Sequence, residues 1–198
     1  MVRQGLLIAA LALAAQLPRE VFDNAVNDFM SGHIDESIAG FDRVIKVSPR
    51  VAPELWQRGI ALYYAGRFKD CRDQFALHGK VNPDDVENAA WHFLCVARLE
   101  SVPAARANLL PVGRDGRTPM SDVYAMLQAR VGPGAVMSAA GGDITAQFYA
   151  HLYIGLYLEA TGDAAGAREH ITLAAAPRYA PVGGYMYGVA RVHLKIRN

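Results

Sequence analysis

Charge of one sign is what this chain most obviously lacks: 20 Lys+Arg stand against 19 Asp+Glu over 198 residues, a formal net charge of +1. A nucleic-acid partner leaves a basic excess in a sequence, and neither that nor an acidic tail is present, so nucleic acid is not an expected partner. Cysteine is scarce, with Cys71 and Cys95 alone. Neither has a partner at C-x-x-C spacing. The six histidines (His33, His78, His92, His151, His170, His193) show no H-x-x-x-H or similar metal spacing, so no metal ligands are expected. Gly141-Gly142 and Gly183-Gly184 are not followed by a G-x-x-x-x-G-K-[ST] phosphate loop, and no cofactor is expected. His151 can meet Glu169 or His170, but a histidine on a helix surface is usually only that. Catalytic residues are therefore not expected, and the chain does not read as an enzyme.

The N-terminal apolar run, Gly5 to Ala15, is shorter than the about 20 residues a bilayer span takes, so no stable membrane span is expected. It follows Arg3 and contains Ala12-Leu13-Ala14, the layout of a secretory signal with a small-residue cleavage site. A capping helix on the first repeat is the alternative, but the run has no polar face to turn outward. No cysteine follows it, so a lipoprotein anchor is not indicated. The expected organisation is a signal over 1–15 and one domain over 16–198, in an exported protein, periplasmic or extracellular; without the signal it would be cytoplasmic. In an exported protein Cys71 and Cys95 can pair. The register below puts them on neighbouring helices with no obvious facing, and two buried thiols behaving as small apolar residues is the plainer reading.

What the chain does have is a core, with 52% hydrophobic residues, and a repeat. Gly32, Phe41 and Pro49 recur 34 residues later as Gly66, Phe75 and Pro83. Self-similarity at that period marks a stack of helix–turn–helix units, each burying its apolar face on its neighbour. Glycine at the turn supplies a positive φ that ends the first helix, and the late proline stops the second. Asp35 and Glu36 open one second helix and Lys46 closes it, each matching the helix dipole. Ile38, Phe41 and Ile45 give that helix a buried stripe.

These residues resemble the tetratricopeptide repeat. That family's pattern has small residues at positions 8 and 20, Gly at 15, an aromatic at 24 and Pro at 32. Gly59, Gly66, Cys71, Phe75 and Pro83 fit it over 52–85, and Ala25, Gly32, Ser37, Phe41 and Pro49 over 18–51. A later unit over 147–175 keeps Gly155, Gly162 and Ala167. Between them the units are decayed: Glu100 replaces the turn glycine, Ser101 and Pro103 restart a helix, 111–117 is a loop, and Gly132-Pro133 is a turn. The turn positions run Gly32, Gly66, Glu100, Gly132 and Gly162, about five helix pairs. In 184–198 apolar and basic residues alternate as in a strand, but Tyr185, Val189, Val192 and Ile196 also form a helical stripe. A lone strand has no partner in such an array, so a terminal capping helix with Arg191, His193, Lys195 and Arg197 outward is expected.

The resemblance implies an all-α, right-handed superhelical solenoid of antiparallel helix pairs, similar to exported bacterial adaptors of this family. It implies a protein- or peptide-binding scaffold, with no catalysis and no cofactor. By the family's geometry the concave groove is lined by Phe22, Phe29, Trp56, Ile60, Tyr63, Tyr64, Arg98 and Tyr149, together with Val26, Met30, Glu87, Leu94, Leu152, Leu156 and Glu159. Where the family's chaperone-binding branch clamps a carboxylate with Lys and Asn, this chain has Phe22, Val26, Trp56 and Ile60, so no such clamp is expected. Aromatic residues with a polar tip suit an apolar helix or extended peptide. The same residues would be plain core if a terminal helix fills the groove. A second candidate is the Arg114-Asp115-Gly116-Arg117 loop, whose two guanidinium groups can grip an anion; the alternative is a solvated connector whose Asp pairs locally. A different function class remains beside the adaptor: a structural subunit of a cell-envelope assembly, held by its convex surface or end helix.

Overall fold

The computed structural model describes residues 19–197, so the signal expected over 1–15 lies outside the described residues. The described chain is all-helical, with no strand. The helices are α1 (19–31), α2 (Ile34–Val47), α3 (Trp56–Tyr64), α4 (Phe68–His78), α5 (Val86–Leu99) and α6 (Val102–Ala107). They continue as α7 (Met120–Leu127), α8 (Pro133–Ala140), α9 (Ile144–Thr161), α10 (Ala164–Ala174) and α11 (Ala180–Arg197). Short 3-10 turns at Pro49–Glu54 and Pro177–Tyr179 join two of the pairs. Sequence neighbours pack on one another from α2 through α6 and again from α7 through α11.

The helix boundaries follow the local chemistry. Gly32, Gly66 and Gly162 have φ of 82°, 72° and 97°, left-handed values that cost a side chain about 1–2 kcal/mol. Asp85, Ser101, Asp143 and Asp163 cap α5, α6, α9 and α10 by accepting a first-turn backbone N–H. Two turn positions behave differently. Glu100 ends α5 without a left-handed residue. Gly132 is extended (φ −96°, ψ 173°) as the N-cap of α8, and the left-handed residue that ends α7 is Ala129, φ 60°. The Ala129 and Arg130 N–H groups donate to the carbonyls of Met126 and Ala125, and these closing bonds hold an alanine where glycine is usual.

Burial follows the stripe expected of α2 at Ile38 and Phe41, while its third buried apolar side chain is Val44 and Ile45 is half-buried. Gly59 lets the Phe75 ring lie against α3, and Gly155 likewise lets Ile171 of α10 lie against α9. Helix α9 is apolar on almost every side and touches α5, α7, α8, α10 and α11, the pattern of a central helix. The tail is helical rather than extended, broken at Gly184 (φ 49°, ψ −133°). Arg191, Lys195 and Arg197 face solvent as expected. His193 does not: it shares the inward face of Val189 and Val192 and is buried, because 192 and 193 lie one helical turn beyond 189.

Cys71 of α4 and Cys95 of α5 are disulfide-bonded, with Cα atoms 5.9 Å apart, inside the span a disulfide bridges. The reading of two separate thiols is therefore corrected. Small residues at both positions bring α4 and α5 close, and the helix rotation faces the sulfurs. Closing a loop of 24 residues in this way is worth about 3.5 kcal/mol in the chain-entropy account.

Candidate functional site

The turn before α5 has the sequence Pro83-Asp84-Asp85-Val86-Glu87, which places three carboxylates at one helix N-terminus. The Asp85 side chain accepts the Glu87 N–H at 3.0 Å and the Asn82 amide at 2.9 Å. The loop 111–117 folds back onto this turn. Asp115 accepts the Val86 N–H at 3.1 Å, Asp84 accepts the Arg114 N–H at 3.2 Å, and the Gly113 N–H donates to the Pro83 carbonyl at 3.1 Å. Arg117 then donates to Asp85 at 2.5 Å, to Glu87 at 2.6 Å and to Asp115 at 2.6 Å. From the other side, Tyr153 of α9 donates its hydroxyl to Glu87 at 2.5 Å.

This wiring changes the reading of the Arg114–Arg117 loop. Arg117 is turned onto three carboxylates of its own chain, so it does not present a free fork to an anion, and the negative charges around it outnumber it. Arg114 enters the wiring through its backbone N–H. Burial raises the Asp115 carboxyl, but the bonds from the Arg117 side chain and from the Arg117 and Val86 N–H groups outweigh it and hold the carboxyl below its ordinary range. Glu87 goes the other way. Its burial, with Asp85 close by, outweighs the bonds from Tyr153 and Arg117 and lifts it above the ordinary glutamate value.

A cleft of about 310 Å³ opens beside these carboxylates. Trp56, Phe75, Trp91, Tyr149 and Tyr185 wall it, Asp85 and Glu87 line its polar side, and the kink at Gly183-Gly184 forms its lip. Tyr185 stacks on Phe29 with ring centroids 5.8 Å apart and meets Trp56 edge-on at 4.9 Å. Phe75 stacks on Trp91 at 6.2 Å, and Tyr149 on Tyr153 at 6.4 Å. Burial, with Glu87 adding to it, pushes the Tyr149 hydroxyl up to about 12. The Trp91 Nε1 and the Tyr185 hydroxyl have no hydrogen-bond partner among the described residues.

The structure places the residues expected to line a groove in different surroundings. Phe29, Ile60, Tyr63 and Tyr64 are buried, and α11 lies against this stripe through Tyr185 and through His193, whose Nδ1 pairs with the Tyr64 hydroxyl at 3.1 Å. Phe22 packs edge-on against Phe41 at 5.6 Å. Arg98 lies over the Phe68 ring and pairs with Glu159 at 3.6 Å. Glu159 is also approached by Arg197 at 3.7 Å and by the Tyr63 hydroxyl at 3.4 Å. Of the residues expected at the groove, Trp56, Glu87 and Tyr149 share the cleft and keep accessible surface. Asp85, Trp91 and Tyr185 belong to it as well and were not singled out for it in the sequence. For Asp85 the signal was its place before an apolar helix, and for Tyr185 the apolar stripe of the tail.

Among the described residues no group of three or more His, Cys, Asp or Glu side chains is placed to hold a metal ion. None of the described helices is long and apolar enough to cross a membrane. No known family model matches the chain.

Proposed function

We propose that this chain is a tetratricopeptide-like solenoid that binds a protein or peptide segment in the aromatic cleft between α3, α5, α9 and the start of α11. The observation that carries the reading is the cleft itself: Trp56 and Tyr149, expected at a groove from the repeat register, keep accessible surface and face the same space. The left-handed Gly32, Gly66 and Gly162 support the repeat register. The walls are rigid rings packed on a helical core, so little ordering entropy is lost on binding.

Partner capture by the immobilised chain, read by mass spectrometry, is expected to disappear in the Trp56→Ala/Tyr149→Ala double variant with its far-ultraviolet helical signal intact. Capture that survives the double change would move the binding surface elsewhere, as the envelope-subunit reading requires.

Export belongs to the same proposal. The Cys71–Cys95 pair is compatible with an oxidising compartment. Protein isolated from its host is then expected to show no titratable thiol in denaturant; two free thiols would remove that support.

A further inference from the structure

We infer that the cleft selects a lysine or arginine side chain of the bound segment, taken with its hydrocarbon stem between the rings and its charge toward Asp85 and Glu87. This rests on the peptide-binding reading above and adds the chemistry of the guest. Three observations converge on it.

The first is charge. Asp85 and Glu87 line the cleft together with one histidine, His78, and no lysine or arginine does. Behind them Asp115 adds a third carboxylate, and Arg117, which is not part of the lining, is the guanidinium shared by all three. One positive charge against three leaves the polar wall negative. An anionic guest would be repelled there, and a neutral apolar one would leave that charge without a further partner.

The second is the wall. Five aromatic rings surround the space, and ring faces attract a cation within about 6 Å of their centroids, guanidinium most often. The protein uses this contact elsewhere: Arg98 lies 5.2 Å over Phe68, and Arg178 lies 4.6 Å over Tyr179. The third is unused polarity. Tyr185 lines the cleft, yet its buried hydroxyl has no hydrogen-bond partner among the described residues. Buried donors are ordinarily satisfied, and the Tyr185 hydroxyl, with its free lone pairs, can accept from a guanidinium or ammonium. The volume of about 310 Å³ lies at the small end of ligand cavities, roughly 300–1,000 Å³, and suits one long side chain rather than a folded element.

Trp56 and Trp91 are the chain's two tryptophans and both line the cleft, so intrinsic fluorescence reports on this site. Acetylated, amidated Gly-Gly-Arg-Gly-Gly and its lysine counterpart are titrated into the full chain, with the citrulline peptide as the neutral match and n-butylammonium as a free cation. Saturable change with the arginine or lysine peptide is expected, at least about tenfold tighter than with citrulline, since hydrogen bonds to charged groups contribute about 1.5–3 kcal/mol. Glu87→Gln, which keeps an acceptor for Tyr153, is expected to weaken the charged peptides about tenfold and to leave the citrulline peptide unchanged. Equal binding of citrulline and arginine peptides, or no saturable binding of either charged peptide to the wild-type chain, overturns the inference. Butylammonium binding as tightly as the peptides overturns the peptide source of the charge. Partner capture that depends on Trp56 and Tyr149 while no charged peptide binds would leave the proposed function standing and remove this inference alone.

Discussion

Replacing Gly155 with valine is expected to lower the unfolding free energy by about 3 kcal/mol, among the largest single-residue effects this chain should show. Gly155 sits inside α9, where that helix crosses α10. A Cβ built there would lie 2.7 Å from Ile171 Cγ1, 2.8 Å from its Cδ1 and 3.1 Å from its backbone nitrogen. The side-chain atoms can turn away, but the nitrogen belongs to a helix and cannot yield unless α10 moves. Two effects compete in the milder Gly155→Ala change. Alanine gains about 1 kcal/mol of helix propensity over glycine, and overpacking costs about 1–3 kcal/mol. Because a backbone atom is involved, overpacking should win and Gly155→Ala should destabilise. Gly134 in α8 supplies the contrast, since a Cβ there meets nothing within 4 Å. Gly134→Ala is therefore expected to raise stability by about 0.5–1 kcal/mol. Urea midpoints of the three variants decide it. A Gly155→Ala protein that gains stability as Gly134→Ala does would show that α9 and α10 are not packed this closely.

Gly155 also shows what kind of information the sequence holds. A small residue at that place of the repeat was legible because it recurs, as Gly59, in a second unit, and in both units a bulky side chain of the following helix fills the space. The left-handed turns at Gly32, Gly66 and Gly162 were legible for the same reason: only glycine adopts that conformation without strain, so function and residue type are tied one to one. Where the backbone found another solution the reading drifted. The turn after α7 falls on Ala129 because two closing hydrogen bonds hold it there, and no residue type announces that.

The cleft was legible only in part. Trp56 and Tyr149 were expected there from the groove positions that the family resemblance implies. Whether the groove is open or covered depends on where α11 lands, and that is a matter of packing between residues more than 100 positions apart, such as Tyr64 and His193. The same limit applies to Arg117. Its partners Asp85 and Glu87 lie 32 and 30 residues away, and nothing local in Arg114-Asp115-Gly116-Arg117 says that the loop folds back onto the start of α5. The disulfide is the third case. Spacing put Cys71 and Cys95 on adjacent helices, but the facing of their Cβ atoms depends on rotation about each helix axis, which a heavily apolar helix such as α5 does not declare.

Acidification from pH 6.5 toward 4 is expected to remove stability far more steeply than surface titration would. His92 is 5% exposed, and burial, with Arg72 nearby and Asp73 opposing only in part, pushes its pKa down to about 4. His151 is 8% exposed and is likewise pushed down to about 4, by burial first, then by His170 and Arg178, against the opposing Glu169. The two ring Nδ1 atoms of His151 and His170 are 3.1 Å apart, so one of them has to be unprotonated to accept the bond. His170 and His193 are lowered too, both chiefly by burial. In the unfolded chain each histidine returns to about 6.5. Below that value the unfolded state takes up protons that the folded state refuses, so equilibrium shifts toward unfolding as pH falls, and the stability these groups contribute is fully present only above about 6.5. Each such histidine contributes a slope of about 1.4 kcal/mol per pH unit. His92 and His151 together therefore cost on the order of 5 kcal/mol by pH 4, comparable to the whole stability of a modest domain, about 5–15 kcal/mol. Urea unfolding at pH 7, 6, 5 and 4.5 measures the slope directly. His92→Leu removes one titrating group whose Nδ1 has no partner among the described residues, and should reduce the slope by about 1.4 kcal/mol per pH unit. A wild-type protein whose stability stays level from pH 7 to 5 would mean that these rings are open to solvent and protonate freely in the folded chain.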